Sequence, residues 1–84
     1  MNYKSKYIIV DNKDGIIPVV FTELAVHKEV ARGFMPGKIL GAGFCWINGD
    51  GRYECYGEST SLNVKSNDED DAKILNKFLG VNYE

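Results

Sequence analysis

The last fifteen ordered-looking residues constrain the chain most, because they read as a capped helix with a single apolar stripe. Ser66-Asn67-Asp68-Glu69 matches a capping box, with Ser66 at the N-cap and Glu69 three residues on. Asp68, Glu69, Asp70 and Asp71 fall at the positive end of the helix macrodipole. Ala72, Leu75 and Leu79 recur at helical spacing, and Ile74 and Phe78 widen the stripe. Gly80 reads as the stop, Val81 is placed for a Schellman contact, and Asn82-Tyr83-Glu84 reads as a frayed tail. A helix with one apolar stripe must lie on an apolar surface, and the preceding residues offer strands.

Tyr7 to Val10 is short, aromatic and β-branched, and Asp11 to Gly15 is turn chemistry. Ile16 to Phe21 forms a second strand and the two make a hairpin. Pro18 cannot donate to a ladder, so this strand belongs at an edge or carries a bulge. Thr22 to Arg32 changes to helical period, with Thr22 as N-cap and Gly33 as stop; the alternative is a turn followed by a brief helix from His27. Gly33 to Gly37 is a loop. Lys38 to Ile47 and Arg52 to Glu58 are strands joined by Asn48-Gly49-Asp50-Gly51, a strong hairpin signal. Gly41 and Gly43 inside the first of these mark a close approach of some other group. Ser59 to Lys65 reads as a last short strand. The expected fold is α+β: a mostly antiparallel sheet of four or five strands, the C-terminal helix on one face in a two-layer sandwich, and a short middle helix at an end or edge.

With 84 residues the chain forms one domain, residues 1–84. A domain this small hides only roughly 60–65% of the surface its unfolded chain exposes, so a homo-oligomer is expected to add buried area. Ten Lys+Arg against twelve Asp+Glu, a net charge of −2, argue against a duplex-DNA binder. No apolar run is long enough for a membrane span. The first residues lack a secretory signal, which points to the cytoplasm and to reduced thiols at Cys45 and Cys55.

The catalytic motifs fail. Gly37-Lys38 would need Gly at position 32 and Ser or Thr at 39 to make a phosphate loop, and those positions hold Arg and Ile. Gly41-Ala42-Gly43 lacks the third glycine and the helix start of a dinucleotide fold. His27, the only histidine, sits beside Lys28 and Glu29 and reads as a solvated or cap-like residue. Cys45 and Cys55 face each other if their hairpin loop holds three residues; a loop of two or four puts Cys45 opposite Glu54. One His and two Cys do not complete a zinc site, and the acidic run lacks the ligand spacing of a calcium loop. No enzyme, metal or cofactor is expected.

The segment Tyr56 to Ser66 gathers four hydroxyls, a carboxylate, an amide and an ammonium beside a strand end. Such groups can hold a small anionic, nucleotide-like ligand. Glu58, Ser59, Ser61 and Lys65 are the leading contacts. Arg52, with Lys38, adds charge, and Trp46, Tyr53 or Tyr56 adds a stacking surface. The competing reading is a solvent-facing strand followed by a helix cap. Ten aromatics exceed what so small a core can bury, so some would form a contact surface.

Several short motifs, Pro18-Val19-Val20-Phe21, Glu23-Leu24, His27, Val30-Ala31, Gly37-Lys38, Ala42-Gly43-Phe44-Cys45, Tyr56-Gly57-Glu58-Ser59, Ser61-Leu62 and Lys65-Ser66, span most of residues 7–80. In these the chain resembles a group of small uncharacterised proteins encoded by phages and prophages. The resemblance implies a phage or mobile-element origin and carries no established activity or site; from membership of that class, an accessory protein acting against host defence in the host cytosol is expected. It would either trap a nucleotide-like messenger or inhibit a host defence enzyme or nuclease complex by covering its surface.

Overall fold

The computed structural model describes residues 4–80. In chain order the elements are β1 (Ser5–Asn12), β2 (Gly15–Thr22), α1 (His27–Arg32), β3 (Lys38–Ile47), β4 (Tyr53–Tyr56), β5 (Glu58–Ser59), β6 (Val64–Lys65) and α2 (Asp68–Leu79). Four strands form an antiparallel sheet in the order β2-β1-β3-β4, and β5 pairs with β6 in a separate two-stranded sheet. The chain is therefore α+β, with its first strand at the centre.

Burial on β1 explains the layering. Tyr7, Ile8, Ile9 and Val10 are all fully buried, so both faces of the strand are covered. Tyr7 and Ile9 join Cys45, Cys55 and Leu75 beneath α2. Ile8 and Val10 join Ala42 and Ala31, with Leu62 and Val64, beneath α1 and the β5–β6 hairpin. The expected two layers are thus three, because α1 lies on the second face and not at an end of the sheet.

Both edges are blunted. Pro18 lies on edge strand β2 opposite Ile9. The two-residue turn closes on the Asn12/Gly15 pair, so strand alternation turns the nitrogen of Pro18 away from β1 and no ladder bond is lost. On the other edge, Asn76 of α2 clamps Tyr53 of β4. Its Oδ1 accepts the Tyr53 N–H at 2.7 Å and its Nδ2 donates to the Tyr53 carbonyl at 3.2 Å. One side-chain amide thereby takes the place of a neighbouring strand.

The β3–β4 hairpin pairs Cys45 with Cys55, the register of a three-residue loop. Asn48 N–H donates to the Arg52 carbonyl at 2.9 Å, and Gly51 supplies the left-handed residue, φ 77°. Asn48 Oδ1 accepts the N–H groups of Asp50 and Arg52. A bulge at Leu40 shifts the β1–β3 register between Ile9 and Val10.

Local expectations fail where tertiary partners intervene. The middle helix begins at His27, the second of the two readings; Thr22 Oγ1 instead accepts the Leu24 N–H in a turn. The strand expected at 59–65 breaks in two, since Ser59 Oγ accepts the Leu62 N–H at 3.2 Å and Asn63 turns left-handed at φ 56°. The N-cap of α2 is Asn67, not Ser66, and makes no side-chain cap bond. Asp71, not Glu69, reaches back to accept the Asn67 N–H at 3.0 Å. Gly80 is extended (φ −60°, ψ 148°), so the helix ends without a left-handed glycine; Val81 and the tail lie outside the described residues. Phe78 and Leu79 remain exposed where α2 runs out along β4.

Gly41 has the most exacting role. A Cβ there would enter the carboxylate of Asp71, with Oδ1 at 2.9 Å. Gly41→Ala is expected to cost about 1–3 kcal/mol by overpacking. Gly49→Ala, whose Cβ would meet nothing within 4 Å, should stay within ~0.5 kcal/mol of the parent. Urea denaturation of both variants checks this; equal midpoints would contradict the assigned role of Gly41.

Candidate functional site

Three even-numbered positions place an aromatic strip on the sheet. Strand alternation sends Phe44 and Trp46 of β3 to the face opposite α2, and pairing sets Tyr56 beside Phe44 and Glu54 beside Trp46. The Phe44 and Tyr56 rings stack at 5.8 Å with 26° between planes. Lys4 Nζ sits 4.8 Å from the Phe44 ring centre and 3.7 Å from Glu23 Oε1. Tyr56 is exposed and Trp46 half-buried. Arg52, exposed, immediately precedes β4 at the turn end of the hairpin. Asn48 Nδ2 donates to Glu54 Oε2 at 2.8 Å, which holds that carboxylate beside Trp46.

The hairpin containing the expected contacts leaves the sheet next to this strip. Gly57 has φ 81°, and an added Cβ there would lie 3.0 Å from the Phe44 ring. Glu58 and Lys65 follow, exposed and paired in register. Three of the segment's hydroxyls bond within the protein, while Thr60 is exposed. Ser59 is buried at 1% exposure and its Oγ lies 3.3 Å from Ser61 Oγ. Ser61 Oγ accepts the Lys28 N–H at 3.2 Å, capping α1 from outside the helix. Ser66 Oγ lies 2.7 Å from the Tyr7 hydroxyl.

Of the residues expected to bind a ligand, Trp46 and Tyr56 therefore come together, with Arg52 at one end of their strip and Glu58 and Lys65 beside the other. Ser59 and Ser61 serve the fold. Lys38 lies at the opposite end of the sheet, opposite Asp11, and Tyr53 packs on the other face beneath α2 instead of joining the strip. Sequence reasoning missed Phe44 and Lys4 as members of the strip. The two-residue spacing of Phe44 and Trp46 was the available signal; Lys4 required the register.

His27 corrects a second expectation. It is buried at 4% exposure, between Phe21 (ring centres 5.4 Å apart) and Phe44 (6.1 Å), both met edge-on. Nε2 lies 2.8 Å from the Gly43 carbonyl oxygen, and because a carbonyl only accepts, Nε2 carries a proton. Burial lowers the pKa of this imidazole below its usual value, the Gly43 contact opposes that, and nearby Lys6 adds to it. His27 and the cysteines lie on opposite faces of the sheet, so they cannot share one ion. Cys45 and Cys55 are both buried and free, and burial pushes both thiols up to about 12. The lack of thiolate makes them poor nucleophiles at neutral pH.

Among the described residues no helix is long and apolar enough to cross a membrane. No family model, curated protein or solved structure matches the chain.

The depressed pKa of His27 has a thermodynamic consequence. Between its folded value and about 6.5 the unfolded chain binds more protons, so stability rises with pH in that window. The contribution is complete above about pH 6.5 and is lost as the pH falls through the folded value. The parent protein should lose stability between about pH 7.5 and 5.5, while His27→Gln should show a flatter profile there. Urea midpoints measured across that range decide the matter, and parallel profiles would contradict it.

Proposed function

We propose that the chain is a non-enzymatic binding protein that takes a small anionic, nucleotide-like ligand on the face of β3 and β4. The stacked Phe44–Tyr56 pair with Trp46 beside it carries this reading. A base can stack on exposed aromatic surface, and every base offers a π-face to it. Lys4, Arg52 and Lys65 lie around the strip and supply positive charge for a phosphate. The resemblance to small phage and prophage proteins supports a counter-defence role in the host cytosol, in which sequestering a nucleotide messenger is the activity.

Trp46 is the single tryptophan, so its fluorescence reports the site directly. Titration with mononucleotides and cyclic dinucleotides should quench it and raise the melting temperature. Saturation at 100 times Kd should add roughly 2.7 kcal/mol of stability. Tyr56→Ala should weaken binding by about fivefold to a hundredfold, the range of one lost stacking contact. The absence of both quenching and stabilisation with every nucleotide tested would overturn the reading.

A second reading, an inhibitor that covers a host defence enzyme or nuclease complex, is favoured by one observation. Leu24 is 90% exposed and Val26 47%, on the turn that Lys6 ties down beside the same face through the Ala25 carbonyl at 2.8 Å. Those side chains would extend the aromatic strip into a larger contact surface, which a homo-oligomer would also bury. A stoichiometric host protein recovered with the parent but not with Leu24→Asp would favour it over the first.

A further inference from the structure

The end of the sheet remote from the aromatic strip carries a cavity of about 490 Å³. Two segments form it: the β1–β2 turn, Asp11 to Asp14, and the end of the loop after α1, with Phe34, Pro36, Gly37 and Lys38. Asp11 faces Lys38 across the β1–β3 register, five residues along β1 from Lys6, the partner of Phe44. That separation is about 17 Å, so the two sites are distinct.

The walls are held in place. Asn12 Oδ1 accepts the Asp14 N–H at 2.9 Å, which fixes the turn. Gly37 N–H donates to the Phe34 carbonyl at 2.8 Å. At Gly37 a Cβ would lie 2.8 Å from Val10 Cγ1 and 2.7 Å from the Phe34 carbonyl oxygen, so the loop packs closely on the end of the core. The volume falls in the range of small-molecule sites, roughly 300–1,000 Å³.

Chemistry narrows the occupant. The lining carries two ammonium groups, Lys13 and Lys38, and two carboxylates, Asp11 and Asp14. None of the four has an ion-pair partner within 4.0 Å among the described residues, where the ion pairs are Lys4–Glu23 and Glu29–Arg32. Phe34 and Pro36 add an apolar wall. A polyanion would meet as many like charges as opposite ones, and so would a polycation. A molecule carrying one charge of each sign on an apolar body matches all three features.

We propose that this cavity binds a small zwitterion with an apolar side group, of the free amino acid or short peptide class. The lysines receive its carboxylate, the aspartates its ammonium, and Phe34 and Pro36 its apolar body. Binding here is independent of the aromatic strip.

L-Phenylalanine is a suitable probe in a heteronuclear NMR titration. It should give saturable shifts confined to residues 11–14 and 34–38, leaving Phe44, Trp46 and Tyr56 unmoved. N-Acetylphenylalanine, without the ammonium, and phenylalanine amide, without the carboxylate, should each bind roughly tenfold or more weakly. Lys38→Met and Asp14→Asn should weaken the zwitterion by a similar factor at unchanged melting temperature. The proposal is overturned by equal binding of either blocked derivative, by tighter binding of AMP at these residues, or by no shift at millimolar phenylalanine.

Discussion

A hydroxyl buried in the middle of the central strand sets the terms for the rest of the molecule. Tyr7 is fully buried, and its Oη lies 2.6 Å from Asp71 Oδ2 and 2.7 Å from Ser66 Oγ. The hydroxyl has one proton, which goes to the carboxylate, and Ser66 donates to Tyr7 in turn. Burial, and then the neighbouring Asp71, raise the phenol far above its usual value, so it remains a donor at any physiological pH. Asp71 is itself buried, and a carboxylate in that position needs every donor it can reach. The Asn67 N–H is the second. The three side chains join the first strand to the start of the last helix across 64 residues of sequence. They fix where α2 meets the sheet, and Gly41 is glycine because the carboxylate occupies the space of its side chain.

This arrangement explains which parts of the fold were legible. β1, β2, β3 and both hairpins follow from alternation, β-branching and turn residues, all local signals, and the structure places them within one or two residues. Pro18 left an edge or a bulge open for β2, and the strand order shows the edge. The cap of α2 was misread because its logic is not local. Ser66 has the right chemistry for an N-cap, but its hydroxyl serves Tyr7. Asp71 reads as one of four acids at a helix start, yet it lies four residues before Leu75 and therefore on the buried stripe. That spacing was visible in the sequence and marks Asp71 as a core residue in need of a donor.

The polar segment from Tyr56 to Ser66 is hard to read locally for a related reason. Its hydroxyls suit a ligand and suit a backbone equally well, and composition cannot say which partner they meet. Folding brings Ser61 to the exposed N–H of α1, Ser59 to its own turn and Ser66 to Tyr7, all before any ligand arrives. The charged residues Glu58 and Lys65 face solvent, as do Thr60 and Asn63. Trp46 and Tyr56 share a face because residues two apart on a strand do so and the hairpin register sets Tyr56 beside Phe44.

His27 shows how the second face limits where function can sit. Its imidazole fills the gap between Phe21 and Phe44 and holds the start of α1 against β3, so α1 and the β5–β6 hairpin cover the middle of that face. With α2 on the other side, the central strand presents no accessible side chain between Tyr7 and Val10. Chemistry open to solvent is therefore displaced to the ends of the sheet. At one end the β3–β4 hairpin runs past its cover and shows aromatic rings among cations. At the other, the turn after β1 and the loop before β3 set exposed charges of both signs beside an apolar wall. A sheet covered on both faces carries such regions at its ends, where Phe44 and Phe34 each pack inward on the core while their neighbours face solvent.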